Sequence, residues 1–171
     1  MEVPPGEPVT SVQPQIRRYE TADAAAVVKL SLRAWEPVFE SLEAVLGSTV
    51  FGRLHPDWKS DQRQAVEDAL TTESIDVWIA NVGERIVGFV AVRLHEKQPI
   101  GEVYMLAVDP ASQRNGVGTL LTNFALVRIK GSGMTVAMVE SGGDPGHAPA
   151  RSTYEKAGFS LLPVARYFKA L

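Results

Sequence analysis

Two glycines one residue apart precede an apolar run, in the stretch QRNGVG at residues 113–118. Residues 102–108 before it predict a strand, and residues 117–130 after it carry apolar side chains at helical spacing. Backbone N–H groups in the first turn of a helix lack partners, and glycine lets a phosphate approach them closely. The stretch therefore predicts an anion site, with an ordinary turn at a helix start as the alternative.

The spacing of these glycines does not fit the two best-known phosphate loops. The dinucleotide-binding pattern GxGxxG requires a third glycine where this chain has Leu121. The P-loop requires Lys and then Ser or Thr after its last glycine, whereas Gly118 is followed by Thr119 and Leu120. A different kind of anion site is needed to explain the stretch.

Composition limits the classes of function. The chain has 171 residues, of which 17 are basic and 20 acidic, so its formal charge of -3 predicts no general attraction to nucleic acid or to an anionic membrane. It has no cysteine, which excludes disulfides, thiolate zinc sites and a cysteine nucleophile. No run of about 20 apolar residues is present to span a bilayer. We expect a disordered leader at residues 1–14 without a secretory signal, one domain at residues 15–171, and a cytoplasmic protein.

Periodicity predicts a mixed α/β order of elements around the glycine stretch. A strand at 16–19 is followed by a helix that Thr21 caps and that Pro37 interrupts before a second helix at 38–46. The other predicted helices are 61–70, 117–130 and 150–157. The other predicted strands are 75–80, 85–94, 102–108 and 134–139, with closing strands at 159–162 and 166–169.

Two segments together resemble a known family. Residues 108–121 (VDPASQRNGVGTLL) resemble the acetyl-CoA-binding motif Q/R-x-x-G-x-G/A of the GCN5-related N-acetyltransferase (GNAT) family. Residues 150–159 (ARSTYEKAGF) resemble a second segment that is frequent in that family. The resemblance implies a mixed, mostly antiparallel central sheet with a splayed parallel pair and helices on both faces. It also implies acetyl transfer from acetyl-CoA to a primary amine by direct attack on the thioester, without a metal.

The resemblance assigns the cofactor contacts. Backbone groups of Leu106, Ala107 and Val108 would hold the pantetheine arm and polarise the thioester carbonyl. The pyrophosphate would lie against the loop and first helical turn, formed by Gln113, Arg114, Asn115, Gly116, Val117, Gly118 and Thr119.

Glu102 is the first candidate for the general base, because some family members carry a catalytic glutamate at that place. In a regular strand its side chain would share a face with Tyr104, Leu106 and Val108, and apolar surroundings would raise the pKa of its carboxyl. The alternatives are a solvated carboxylate at the start of the strand, or a water relay that serves as the base.

Tyr154 matches the tyrosine that many family members place near the CoA sulfur, where a phenol can protonate the departing thiolate. The alternative is that Tyr154 packs in the core. His147 departs from the family, since an asparagine often stands there. It would bind the cofactor as asparagine does, act as the base itself, or be an ordinary loop residue.

The acceptor site is the least specified part. The resemblance implies that the first helices build it, which directs attention to Trp35, Glu36 and Phe39, although core packing explains these residues equally well. Aromatic walls with a carboxylate suit a cationic amine. We expect a small-molecule amine as partner and leave the oligomeric state, monomer or homodimer, open. A catalytically weak acyl-CoA sensor with the same fold is the alternative function.

Overall fold

The computed structural model describes residues 13–171, so residues 1–12 of the predicted leader lie outside it. Five strands are present in this part of the chain: β1 (Gln15–Arg18), β2 (Ile75–Val82), β3 (Arg85–Leu94), β4 (Ile100–Val108) and β5 (Val136–Val139). Five α-helices accompany them: α1 (Ala24–Leu46), α2 (Ser48–Leu54), α3 (Trp58–Thr71), α4 (Val117–Gly131) and α5 (Ala148–Lys156). Short 3-10 turns precede α1, α4 and α5 at Thr21–Asp23, Pro110–Ser112 and Pro145–His147.

The strands form one mixed sheet in the order β1-β2-β3-β4-β5. Neighbouring strands are antiparallel except β4 and β5, which are parallel. The parallel pairing runs only from Ile100 opposite Val136 to Val103 opposite Val139, whereas β4 continues to Val108. From Tyr104 onward β4 therefore has no strand on its β5 side, which is the predicted splayed pair.

Helices cover both faces of the sheet. One core cluster lies between the sheet and α4 and includes Leu121, Ala125 and Ile129. The other packs α1 and α3 on the opposite face, with Leu30 and Val66 buried against the sheet. This arrangement confirms the predicted fold class.

Helix α1 continues through Pro37, so the predicted break at that residue is wrong. Proline removes one backbone donor from a helix. Val27, Val28 and Leu30 pack against the sheet, and α1 also contacts α3. This packing stabilises the helix despite the hydrogen bond that is missing at Pro37.

The two predicted closing strands are also wrong, because residues 157–171 form no strand. Pro163 separates the two apolar segments and cannot donate to a ladder. The tail runs instead toward α2, where Arg53 donates a hydrogen bond of 2.7 Å to the backbone oxygen of Leu171. Leu162 and Tyr167 are left exposed, and the outer edge of β5 is unpaired in the part of the chain that the structure describes.

Candidate active site

Asp109 fixes the turn that leads from β4 to α4. Its buried carboxylate accepts a hydrogen bond of 3.0 Å from the Ala111 N–H and pairs with Arg33 of α1. Burial alone would raise the pKa of Asp109, but the hydrogen bonds from Arg33 and Ala111 outweigh it and hold that pKa below its usual value. The carboxylate therefore stays ionised and ties the loop to the helix on the other face of the sheet.

The first turn of α4 leaves backbone donors without a helical partner. Gly116 adopts a left-handed conformation with φ 79°, and none of the described side chains caps the helix there. The helical ladder begins only with the hydrogen bond of 2.9 Å from Leu120 N–H to the Gly116 oxygen, so the N–H groups of the three residues between them precede it. Arg114, with φ 60°, and Asn115 are exposed beside this turn. The first turn of α4 is therefore uncapped, and the anion site that the sequence predicts there stays a prediction.

Two predicted cofactor residues brace the backbone of the loop. The Gln113 side chain donates a hydrogen bond of 3.2 Å to the Val108 oxygen, which closes the turn after β4.

Leu106 and Ala107 pair with β3 on one side and face the gap left by β5 on the other. This gap leads from the end of the parallel pair to the first turn of α4.

Glu102 lies in ionic surroundings, not in the apolar ones that the sequence predicts. Its carboxylate oxygen Oε2 accepts hydrogen bonds from Arg93 Nε at 3.0 Å and Arg93 Nη2 at 2.8 Å, and lies 3.0 Å from His95 Nε2. The Arg93 guanidinium also lies 4.2 Å from the ring centre of Tyr104. Glu102, Arg93 and Tyr104 therefore form one cluster on the sheet.

The prediction that Glu102 shares a face with Leu106 and Val108 is wrong. The register between β3 and β4 shifts at Ala91 and Val92, so β4 carries a bulge. A bulge adds one residue and reverses the face of every later side chain. Leu106 and Val108 consequently pack in the α4 cluster.

Tyr154 lies on α5 next to the first turn of α4. A Cβ atom added at Gly118 would be 3.9 Å from Thr153 Cγ2, which places α5 against the glycine stretch. The Tyr154 ring makes an edge contact with Phe159 at 5.9 Å between centres. Burial raises the pKa of Tyr154 to about 12, so its phenol keeps its proton at neutral pH.

His147 is held by a partner that the sequence analysis missed. Its Nδ1 lies 2.5 Å from Oδ1 of Asp144, whose side chain is buried. Arg151 donates to the backbone oxygens of Gly142 at 2.5 Å and of Asp144 at 2.8 Å, and so braces the same loop. The signal for Asp144 was its place before Pro-Gly, since aspartate commonly accepts backbone hydrogen bonds at the start of such turns.

The three predicted acceptor residues lie on the middle of α1. Phe39 stacks on Trp58 with 4.4 Å between ring centres, Glu36 pairs with Lys59 at 3.3 Å, and Trp35 packs against the core cluster beneath α1. These contacts join α1 to α3. The structure brings none of the three into contact with Glu102 or Tyr154 among the interactions of residues 13–171.

Two kinds of feature are absent from residues 13–171. No cluster of three His, Asp or Glu side chains suitable for a metal ion is present in that range. No helix there has the length and apolar character that crossing a membrane requires.

Comparison with known proteins identifies related sequences and folds. Residues 35–159 match the sequence model of the acetyltransferase (GNAT) family. A mycothiol acetyltransferase of Streptomyces bingchenggensis (strain BCW-1) is 32% identical over 109 residues, which are 62% of this chain and 35% of that protein. A second, from Streptomyces scabiei (strain 87.22), is 26% identical over 152 residues, 85% of this chain and 49% of that protein. The chain thus spans between about a third and a half of these curated relatives.

Solved structures share the fold at low sequence identity. The PaiA N-acetyltransferase of Thermoplasma acidophilum, solved in complex with coenzyme A, aligns with a TM-score of 0.66 and 14% identity, over 90% of this chain and 93% of that one. An aminoglycoside acetyltransferase from an uncultured soil metagenomic sample, in complex with sisomicin, aligns with a TM-score of 0.58 and 21% identity, over 92% and 96% of the two chains. The folds agree.

Proposed function

Because the chain belongs to the GNAT acetyltransferase family, we propose that it is an acetyl-CoA-dependent N-acetyltransferase that acetylates a primary amine of a small molecule. The observation that carries this proposal is the uncapped first turn of α4, which opens beside the gap between β4 and β5. Oriented N–H groups at a helix start bind phosphate, and an unpaired strand edge can hydrogen-bond an amide-containing chain.

The residues fit acetyl-CoA along one path. The N–H groups from Arg114 to Thr119 bind the pyrophosphate, with Gly116 allowing close approach. The pantetheine arm lies along the free side of Leu106, Ala107 and Val108, whose backbone also polarises the thioester carbonyl. Acetyl-CoA supplies the activated acetyl group, and no metal takes part in the proposed reaction.

Proton transfer completes the proposed mechanism. The attacking amine must lose a proton, and the departing sulfur must gain one. Tyr154 is the proposed acid because its phenol is protonated at neutral pH and its helix α5 packs against the first turn of α4. Glu102 and His147 are the two candidates for the base.

The acceptor is proposed to enter along α1, near Trp35, Glu36 and Phe39. Two of the proteins named above are, by name, a mycothiol acetyltransferase and an aminoglycoside acetyltransferase, and both names refer to small molecules. Glu36 is exposed on the same helix as Trp35 and Phe39, and its partner Lys59 is exposed as well, so a cationic amine could replace that partner at the carboxylate.

A binding and a turnover measurement test the proposal together. We expect acetyl-CoA to raise the melting temperature, and a panel of amines to yield CoA release that a thiol reagent detects. Tyr154→Phe should lower kcat by roughly 10²–10⁴-fold. Tyr167→Phe is the matched control, because Tyr167 is 90% exposed and lies outside the site.

Different results separate the candidate functions. Stabilisation by acetyl-CoA without turnover on any amine would support the alternative, a sensor that binds an acyl-CoA. A melting temperature unchanged at millimolar acetyl-CoA, together with no CoA release, would refute both functions.

A further inference from the structure

The turn that carries His147 is pressed against α1. The Gly146 N–H donates hydrogen bonds to Ser41 Oγ at 2.8 Å and to Asp144 Oδ2 at 3.0 Å. A Cβ atom at Gly146 would lie 2.7 Å from Ser41 Cβ and 3.0 Å from the Val38 backbone, so only glycine fits there. His147 is therefore fixed where the predicted acceptor helix meets the segment that leads to Tyr154.

Asp144 sets the chemistry of the imidazole. Its Oδ1 lies 2.5 Å from His147 Nδ1, and its side chain is only 4% exposed. A carboxylate at Nδ1 keeps the ring proton on that nitrogen and leaves Nε2 as a proton acceptor. None of the hydrogen bonds within residues 13–171 engages Nε2, and the His147 side chain is 21% exposed.

The charge of Asp144 is maintained by its neighbours. Burial alone would raise the pKa of its carboxyl, but hydrogen bonds with Ser41 and His147 outweigh burial and lower that pKa. Arg151 is the other charged group in contact with this loop, and α1 contributes the neutral Ser41 and Val38. An ionised Asp144 also stabilises the imidazolium that forms when Nε2 takes a proton.

The spacing of His147 and Tyr154 suits a base that acts on the amine and an acid that acts on the departing sulfur. His147 is the N-cap residue of α5, at the end of the preceding 3-10 turn, and Tyr154 lies seven residues later, near the end of the helix. Their backbone positions are therefore separated by about 10 Å along the helix axis. That separation leaves room for an amine and a thioester between them.

Resting on the proposed N-acetyltransferase function, we propose that His147 is the general base of the reaction and that Asp144 is its positioning residue. Nε2 of His147 takes the proton from the attacking amine nitrogen. The new C–N bond replaces the C–S bond, and the sulfur keeps the electron pair and receives the proton of Tyr154. His147 then releases its proton to water and Tyr154 regains one, which restores both groups.

Glu102 is less suited to this role because one of its two carboxylate oxygens is already held in an ion pair. Oε2 accepts hydrogen bonds from Nε and Nη2 of Arg93 and lies 3.0 Å from His95 Nε2. That oxygen is committed to an ion pair on the sheet. Glu102 is better explained as the anchor that holds Arg93 on the Tyr104 ring.

The substitution His147→Asn separates a base from a cofactor contact. Asparagine can hydrogen-bond acetyl-CoA but cannot take a proton from an amine. We expect kcat to fall by roughly 10²–10⁴-fold while the KM for acetyl-CoA and the stabilisation by acetyl-CoA stay within twofold of wild type. In His147→Ala, added imidazole should restore part of kcat, whereas it should not rescue Tyr154→Phe.

Asp144→Asn tests the positioning role. Its kcat should fall less than that of His147→Asn while the KM for acetyl-CoA stays within twofold of wild type, because an amide fixes the tautomer of the imidazole less well than a carboxylate does. Melting curves of both variants show whether they fold, and His147→Gln repeats the test with a second amide side chain.

The outcomes distinguish this inference from the proposed function. Wild type that releases CoA with an amine, together with His147→Asn that keeps its kcat, would overturn the base assignment and leave the N-acetyltransferase intact. A rise in the KM for acetyl-CoA with unchanged kcat would also overturn it, in favour of a cofactor contact. Wild type without turnover on any amine would refute the enzyme function and this inference with it.

Discussion

The close contact between β4 and α4 at Gly101 gives a quantitative prediction. A Cβ atom at Gly101 would lie 2.4 Å from Ile129 Cγ2 and 2.7 Å from Ile129 Cγ1. Ile129 is 2% exposed, and its β-branched side chain has little rotamer freedom in a helix. Gly101→Ala must therefore push α4 away from the strand that also carries Glu102.

The expected cost follows from overpacking in a dense core. Such substitutions typically destabilise by about 1–3 kcal/mol. For a chain of this size, each kcal/mol lowers the melting temperature by about 2–4 °C, which gives a fall of about 2–12 °C. Removing the obstructing side chain should relieve the clash, so Gly101→Ala with Ile129→Ala should be about 1–3 kcal/mol more stable than the sum of the two single changes predicts.

Urea denaturation of the four proteins in this cycle measures these free energies of unfolding. Gly131→Ala is the matched control. Gly131 lies on α4, the helix that carries Ile129, and a Cβ atom there would meet nothing within 4 Å. This substitution should raise the free energy of unfolding by up to about 1 kcal/mol, since alanine favours a helix over glycine. A Gly101→Ala protein as stable as wild type, or strictly additive changes in the cycle, would refute the reasoning.

Three further predictions concern the site. Because the pKa of Tyr154 is 10.0 in the unfolded chain and about 12 in the fold, its contribution to stability should be present below pH 10 and lost between pH 10 and about 12. Urea denaturation across that range should show a loss of up to about 3 kcal/mol that Tyr154→Phe lacks; equal pH slopes would contradict it. Asp109→Asn should lower the free energy of unfolding by about 1–3 kcal/mol at pH 7. This difference from wild type should shrink below pH 3.8, because there the carboxyl is protonated in the unfolded chain and becomes protonated in the fold as well. A difference that does not depend on pH would exclude the ion pair as its cause. Gly116→Ala should lower the free energy of unfolding by about 1–2 kcal/mol, because Gly116 has the left-handed φ of 79°. Gly118→Ala is the control and should melt close to wild type, because its Cβ atom would lie 3.8 Å from Val108. Equal melting temperatures of the two variants would show that the left-handed turn is not retained.

The strands and the helix around the glycine stretch were predictable because each depends on local pattern. Alternation and helical spacing gave β2, β3, β4 and α4 within a few residues. The order of the segments then limited the sheet to a mixed topology with a parallel pair. Local signals were sufficient wherever neighbouring residues alone determine the conformation.

Features that depend on distant partners were not predictable in the same way. The bulge in β4 appears only when the register with β3 is known, and it reversed the faces of Leu106 and Val108. The ion pair of Glu102 with Arg93 depends on the same register. The continuation of α1 through Pro37 depends on packing against the sheet and α3, which outweighs a local signal for a break.

The proposed donor and acceptor halves of the site differ in how sequence encodes them. Acetyl-CoA would be held mainly by backbone N–H groups. Glycines and the start of a helix position such donors, and both can be recognised in the sequence as a motif. An acceptor amine must be recognised by side chains, and those are shaped by tertiary contacts such as the stacking of Phe39 on Trp58. His147 combines the two kinds of encoding. It stands at a position of the motif that resembles the family's, but its placement depends on Asp144 and on the contact of Gly146 with α1. Histidine in place of the family's asparagine is therefore the one sign in the sequence that this chain uses a different base.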